Sequence, residues 1–257
     1  MPFTFAHPAA ILPIKSKWKK YFSFTGLILG SMAPDFEYFL HFKPFSTIGH
    51  CFSGFIFLDL PLCFVIAYIF HNIIKKPFIN HCFSPLDQWY WYISEKRWNL
   101  NSIKKIIIFT YSCILGMITH VLWDGFTHTN GYFVTLIPLL NRKIQFINIS
   151  FPIYKLLQHF STFLGLIAIL IFLYFKRDTS SIIFKKKNVS KLTSKRKFIY
   201  HLIPLCIGIL FILISIYINF INLGLKPIGN SVVTFINGLF FGYIIVSFYS
   251  DKLGTVH

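Results

Sequence analysis

Long apolar runs narrow the folds open to this chain more than any motif does. Residues 55–74, 106–123, 160–175 and 200–222 approach or reach the ~20 residues needed to cross a hydrocarbon layer, and 232–249 is a fifth stretch of similar length. Lipid cannot satisfy a bare backbone, so spans of this length must be helices. The expected fold class is therefore all-α: a polytopic helical membrane protein of about five spans plus a short N-terminal helical hairpin. Residues 21–40 are a weaker sixth candidate, interrupted by Gly26, Gly30 and Pro34, and residues 7–14 are too short to cross alone. Composition agrees. Only 13% of residues are charged, against roughly a quarter in soluble domains.

Basic residues set the expected orientation. Segments 15–20, 75–105 and 176–198, with Lys252, hold twenty of the 25 Lys and Arg. The opposite side keeps Lys43, Arg142, Lys143, Lys155 and Lys226. This alternation requires 21–40 to cross or nearly cross. By the positive-inside rule the twenty-base side faces the cytoplasm, as does the C-terminus, which predicts a multi-pass protein of the cell (inner) membrane. The net charge of +17 then reflects anionic lipid, and no nucleic-acid motif accompanies it. Trp89, Tyr90, Trp91, Tyr92 and Trp98 suit the headgroup layer. The five cysteines, Cys51, Cys63, Cys82, Cys113 and Cys206, form no CxxC and read as small apolar residues. The first residues lack a basic n-region and a small-residue cleavage site. A Lys- and Ser-rich linker, 176–198, separates a metal-site membrane domain, 1–175, from a two-helix hairpin, 199–257.

Ionisable groups in apolar segments are costly, so each is a candidate functional residue. His7, Asp35, His50, His120, Asp124 and His128 all fall at the outer face of the expected topology, with His159 opening the next span from that side. The charge count did not use them. The strongest local signal is THVLWDGFTH, residues 119–128. His120, Asp124 and His128 follow at i, i+4, i+8, and each step of four turns a helix only about 40°, so all three share one face. Imidazole with carboxylate suits zinc, manganese or ferrous iron. Gly125 is placed to loosen the helix and re-aim His128. In GSMAPDFEYF, residues 30–39, Pro34 disfavours α conformation at Ala33, which predicts a helix break presenting Asp35, with Glu37 as a supporting neighbour. His7 stands beside a helix-starting Pro8. Asp59 is expected either to bond back toward His50 or to cap a break at Pro61. His41, His71, His81, His201, His257 and Asp251 lie elsewhere or in interfacial positions.

MPFTFAHPAA, GSMAPDFEYF, GHCFSGFIFLDLP, THVLWDGFTH and LLQHFSTFLG resemble the signatures of a bacterial membrane family, domain of unknown function 4184, over roughly residues 1–175. That family is similar to membrane-bound metal-dependent hydrolases, whose order is His, Pro-Asp, His, HxxxD. More remotely the order resembles the zinc-dependent phospholipase C and nuclease fold, which continues with His and HxxxE. The resemblance implies His7, Asp35, His50, His120, Asp124 and His128 as metal ligands. It aligns His159 with the final motif, where Phe163 stands in place of Glu. It implies one or two divalent ions, zinc foremost, and hydrolysis of a phosphoester or lipid-linked ester from the outer leaflet. Asp35 would position or deprotonate water. No HExxH is present, which argues against a metalloprotease. Two other readings stay open: an ion or solute transporter, and a non-catalytic scaffold. The lipid bilayer and an anionic lipid or phosphoester are the partners this reading names; oligomeric state has no sequence signal.

Overall fold

The apolar runs become helices that overshoot them at one or both ends. The computed structural model describes residues 3–17, 20–146, 149–180, 192–221 and 228–250. Among these, five helical stretches are long and apolar enough to cross a membrane: Phe52–His81, Ile103–Leu136, Ile153–Lys176, Ser194–Ile218 and Gly229–Tyr249. In chain order, α1 is a 3-10 segment, Thr4–Ile11, continuing as Leu12–Lys17. Then come α2 (Phe24–Met32), α3 (Phe36–His41), α4 (Phe52–His81) and α5 (Ile103–Thr127). They are followed by α6 (Ile153–Lys176), α7 (Ser194–Ile221) and α8 (Ile228–Tyr249). The fold is all-α. An antiparallel hairpin, Lys143–Phe146 with Ile149–Pro152, is the sole sheet among the described residues.

Contacts divide the chain into two units. The first comprises Met1–Glu37, Thr47–Phe64 and Leu100–Lys176; the second comprises Tyr38–Ser46, Val65–Asn99 and Arg177–His257. In the first unit α2 and α5 pack backbone against backbone. A Cβ at Gly30 would stand 2.1 Å from the Cys113 carbonyl oxygen, and one at Gly116 would stand 2.5 Å from the Ser31 nitrogen. Small residues permit this approach, which is how apolar helices gain contact where lipid removes the hydrophobic drive to associate. Ser23 fixes the entry to α2: its hydroxyl accepts from Gly26 N–H at 3.2 Å, and its own N–H donates to Ser112 Oγ at 2.9 Å. Leu27, Phe109, Cys113 and Met117 are fully buried in this contact. The 3-10 segment of α1 is fixed to α6. Phe3 N–H donates to Thr162 Oγ1 at 3.2 Å, and a Cβ at Gly165 would meet the Ala6 carbonyl at 3.0 Å.

Two expected breaks take another form. Ala33 keeps α geometry (φ −60°, ψ −38°), because Pro34 sits in the first turn of a 3-10 segment, Ala33–Asp35, where its missing N–H is not needed. The chain tightens rather than breaking. Pro61 does not interrupt α4 either. A π turn, Phe55–Asp59, precedes it and absorbs the lost hydrogen bond within a continuous helix. Pro8 lies inside the 3-10 segment rather than starting it.

In the second unit α7 and α8 pack equally closely. A Cβ at Gly242 would lie 2.5 Å from Pro204 Cα, and one at Gly238 2.6 Å from Gly208 Cα. Polar bonds tie these helices together. Tyr200 stacks on His81 at 4.2 Å and its hydroxyl meets Ser247 Oγ at 2.6 Å. His201 Nδ1 meets the Tyr243 hydroxyl at 3.0 Å. Lys197 Nζ donates to Asp87 Oδ2 at 2.7 Å in a buried ion pair. Arg177 stands over the Trp89 ring at 5.7 Å. His81 and His201 are thus helix-to-helix ties. The cysteines are free thiols, with Cys63 and Cys113 buried.

Candidate metal centre

The first unit's packing brings side chains from separate elements to a common point. The α2–α5 contact sets Ser31 beside His120, whose Nδ1 lies 2.8 Å from the Ser31 carbonyl oxygen. A carbonyl can only accept, so Nδ1 carries a proton and Nε2 is the nitrogen turned to the carboxylates. One helical turn on, Asp124 projects from the same face of α5. The α1–α6 contact brings His7 onto His120, the rings stacked with centroids 3.8 Å apart. The 3-10 turn after α2 presents Asp35, whose Oδ2 accepts from Thr4 Oγ1 at 2.6 Å, leaving Oδ1 toward the imidazoles. His50 enters from the loop before α4.

The separations are those of a ligand shell. His120 Nε2 lies 3.3 Å from Asp124 Oδ2 and 3.6 Å from Asp35 Oδ1. His50 Nε2 lies 3.7 Å from Asp124 Oδ2 and 3.8 Å from Asp35 Oδ1, and His7 Nε2 3.6 Å from Asp124 Oδ1. Most are too long for hydrogen bonds. Ligands 2.0–2.2 Å from a tetrahedral ion are separated by about 3.4 Å. Four of these atoms, His7 Nε2, His120 Nε2, Asp35 Oδ1 and Asp124 Oδ1, are buried with no hydrogen-bond partner among the described residues. Orphaned buried polar atoms are rare and expensive, so four aimed at one another fit a cation. Two triads, His7–Asp35–His120 and His50–His120–Asp124, each gather their ligand atoms within 4.8 Å.

Burial, with the His120 ring against it, lowers the His7 pKa to about 3, so this imidazole is neutral and its lone pair available. Burial likewise pushes the Asp35 carboxyl above the usual carboxylate range. Asp35 and His120 are wholly buried, whereas the His50 and His128 side chains are 30% and 31% exposed, so the cluster opens on the side of those two histidines.

Of the residues singled out in the sequence, His7, Asp35, His50, His120 and Asp124 come together. His128 reaches the edge: α5 ends at Thr127, His128 is extended (φ −116°, ψ 148°), and its Nδ1 lies 3.6 Å from Asp124 Oδ1. The helix runs through Gly125 and releases the chain two residues later. His159 joins neither triad and is exposed in the second turn of α6 beside buried Gln158. Asp59 is buried in the π turn, and neither oxygen has a hydrogen-bond partner among the described residues, so it bonds neither back toward His50 nor as a cap. Thr4 and Ser31 had no spacing signal of their own. Only the fold shows that one orients Asp35 and the other His120.

No curated protein and no solved structure matches this chain. A family model matches residues 1–248, reaching well past the motifs of the first unit. The chain belongs to the family described as Domain of unknown function (DUF4184).

Proposed function

We propose that this chain is a membrane-bound metal-dependent hydrolase acting on a phosphoester or another lipid-linked ester. The observation that carries the reading is the convergence of four orphaned buried atoms, from His7, Asp35, His120 and Asp124, with His50 Nε2 beside them. His7, His50, His120 and Asp124 would hold one or two divalent ions, zinc foremost, with His128 at the open edge and Asp124 placed to bridge two. The chemistry such an ion supplies when bound is Lewis-acid activation of water and of a phosphoryl or carbonyl oxygen. The protein's own part is orientation and proton handling. Thr4 holds one oxygen of Asp35, so the other is the base facing the reacting centre. Arg142, Lys143 and Lys155, in and beside the hairpin that precedes α6, would attract an anionic headgroup. The positive-inside count supports a site on the non-cytoplasmic side with the C-terminus inside.

The test is metal content of the purified protein against His120→Ala and Asp124→Ala. Bound zinc in the wild type, lost in both variants with helix content unchanged, is the expected result. Equal content in all three ends the reading. Hydrolysis of phospholipid and isoprenoid-phosphate substrates by the loaded protein then tests the activity.

A second reading, ion translocation, draws on Asp59. This carboxylate lies buried within a span, with both oxygens orphaned and a π turn behind it; ionisable groups at more than one depth suit a passage. Zinc flux into vesicles holding the purified protein, abolished by Asp59→Asn, would favour it over hydrolysis.

A further inference from the structure

His50 reaches the cluster from a loop, with no helix to hold it. Residues 47–51 form turns and bends only, yet a ligand must be held to a few tenths of an ångström to bind an ion well. Glu37 supplies what the loop lacks. Its Oε1 accepts from Thr47 N–H at 2.9 Å and from the Thr47 hydroxyl at 2.5 Å; its Oε2 accepts from Ile48 N–H at 3.0 Å and Gly49 N–H at 2.8 Å. Three successive N–H groups turned onto one anion make a nest. Glu37 is only 3% exposed, so these charge-assisted bonds compete little with water. Behind the loop the start of α4 leaves no slack, because a Cβ at Gly54 would overlap the Ile48 carbonyl. Asp35 and Glu37, two residues apart across the 3-10 turn, therefore act in concert: one turns its unbonded oxygen to the cluster, and the other grips the loop that delivers His50 to it.

We propose that Glu37 is a positioning residue that sets His50 for metal binding by clamping the backbone of residues 47–49. The proposal rests on the metal-centre reading above. Removing the carboxylate strands three N–H groups, frees the loop, and takes His50 away from Asp35 and Asp124. Loss of such an outer support typically weakens metal binding about 10- to 100-fold.

The experiment measures zinc affinity of the full chain in detergent by chelator competition, together with backbone hydrogen exchange at Ile48 and Gly49 in zinc-free protein. Glu37→Gln should weaken zinc about 10- to 100-fold, by the same factor as His50→Ala, and the double variant should be no worse than either single one. Exchange at both amides should accelerate. Acetate should restore zinc to Glu37→Ala by filling the vacated nest, and should do nothing for His50→Ala. A merely structural Glu37 would give additive losses and no acetate response. Unchanged exchange in Glu37→Gln, or additivity with His50→Ala, overturns the proposal. A wild type that takes up no zinc sinks the metal-centre reading instead, and the exchange rates still decide whether Glu37 clamps the loop. Should Glu37→Ala fail to accumulate, Thr47→Val, which removes only the hydroxyl donor, should give a smaller loss in the same direction; wild-type exchange and affinity there would count against the clamp.

Discussion

Gly30→Ala is the smallest change that should empty the centre without touching a ligand. Its new Cβ would stand 2.1 Å from the Cys113 carbonyl oxygen and 2.7 Å from Cys113 Cα, both backbone atoms of α5. Backbone cannot rotate away as a side chain can, so α2 and α5 must part by about 1 Å to restore van der Waals contact. Ser31 is the next residue along, and the bond from His120 Nδ1 to its carbonyl is 2.8 Å long. Parting the helices stretches it beyond hydrogen-bonding range. The overpacking itself costs about 1–3 kcal/mol. Stranding a buried donor and acceptor adds about 1–3 kcal/mol. His120 loses the partner that fixes its tautomer and ring plane, and metal affinity should fall about 10- to 100-fold. The assay pairs thermal unfolding in detergent with zinc competition. Gly229→Ala, whose Cβ would meet only the Pro44 ring at 3.1 Å, serves as the control and should change neither. A Gly30→Ala protein with wild-type stability and wild-type zinc affinity would refute the claim that this glycine contact builds the site.

Three further outcomes follow from particular contacts. His159→Ala should leave zinc content at the wild-type value, since His159 is exposed and belongs to neither triad; loss of metal would mean that α6 supplies a ligand after all. Thr4→Val should preserve zinc binding but lower turnover of any ester substrate found, because it frees the Asp35 oxygen now held at 2.6 Å; unchanged turnover would remove Asp35 from the proton-handling role. Lys197→Met should destabilise the protein by about 3–5 kcal/mol by leaving Asp87 buried without its ammonium partner. Pairing it with Asp87→Leu should recover most of that in a denaturation series, and failure to recover would show that the ion pair is not what holds this contact.

The helices were legible because their signal is length: a run of some twenty apolar residues has one solution in lipid. The candidate residues were legible because a membrane chain with so few acids makes each buried His or Asp conspicuous. Positions set by local geometry were harder. Pro34 and Pro61 both looked like breaks, yet a 3-10 turn and a π turn carry the chain past them. The prohibition that proline imposes concerns one N–H and one neighbour, and a helix can answer it by changing pitch. His159 looked like a seventh candidate from topology and motif order; its exposure on α6, which begins at Ile153, is a matter of helix phase. Thr4, Ser31 and the grip of Glu37 on residues 47–49 were invisible for a different reason. Each is a hydrogen bond between distant segments, and no spacing in the chain encodes such a pairing.

Charge balance joins these points into one argument. Asp35 and Asp124 are almost wholly buried, and among the described residues no lysine or arginine forms an ion pair with either. The residues around them are imidazoles, and burial holds the His7 ring neutral. Two carboxylates in an apolar helical bundle would cost several kcal/mol each if left uncompensated. A core of that cost would be expected to give way to leucine and phenylalanine, of which the surrounding helices have no shortage. One divalent cation reverses the sign. It matches the charge of the two carboxylates, takes up the lone pairs that no hydrogen bond satisfies, and fits the 3.3–3.8 Å spacing at which the ligand atoms stand. Replacing both acids with asparagine should therefore stabilise the metal-free protein while abolishing zinc binding, whereas in the zinc-loaded comparison the wild type should be the more stable. A double variant less stable than wild type in the absence of metal would mean that the carboxylates are compensated from within the protein, and the case for a cation would fall with that result.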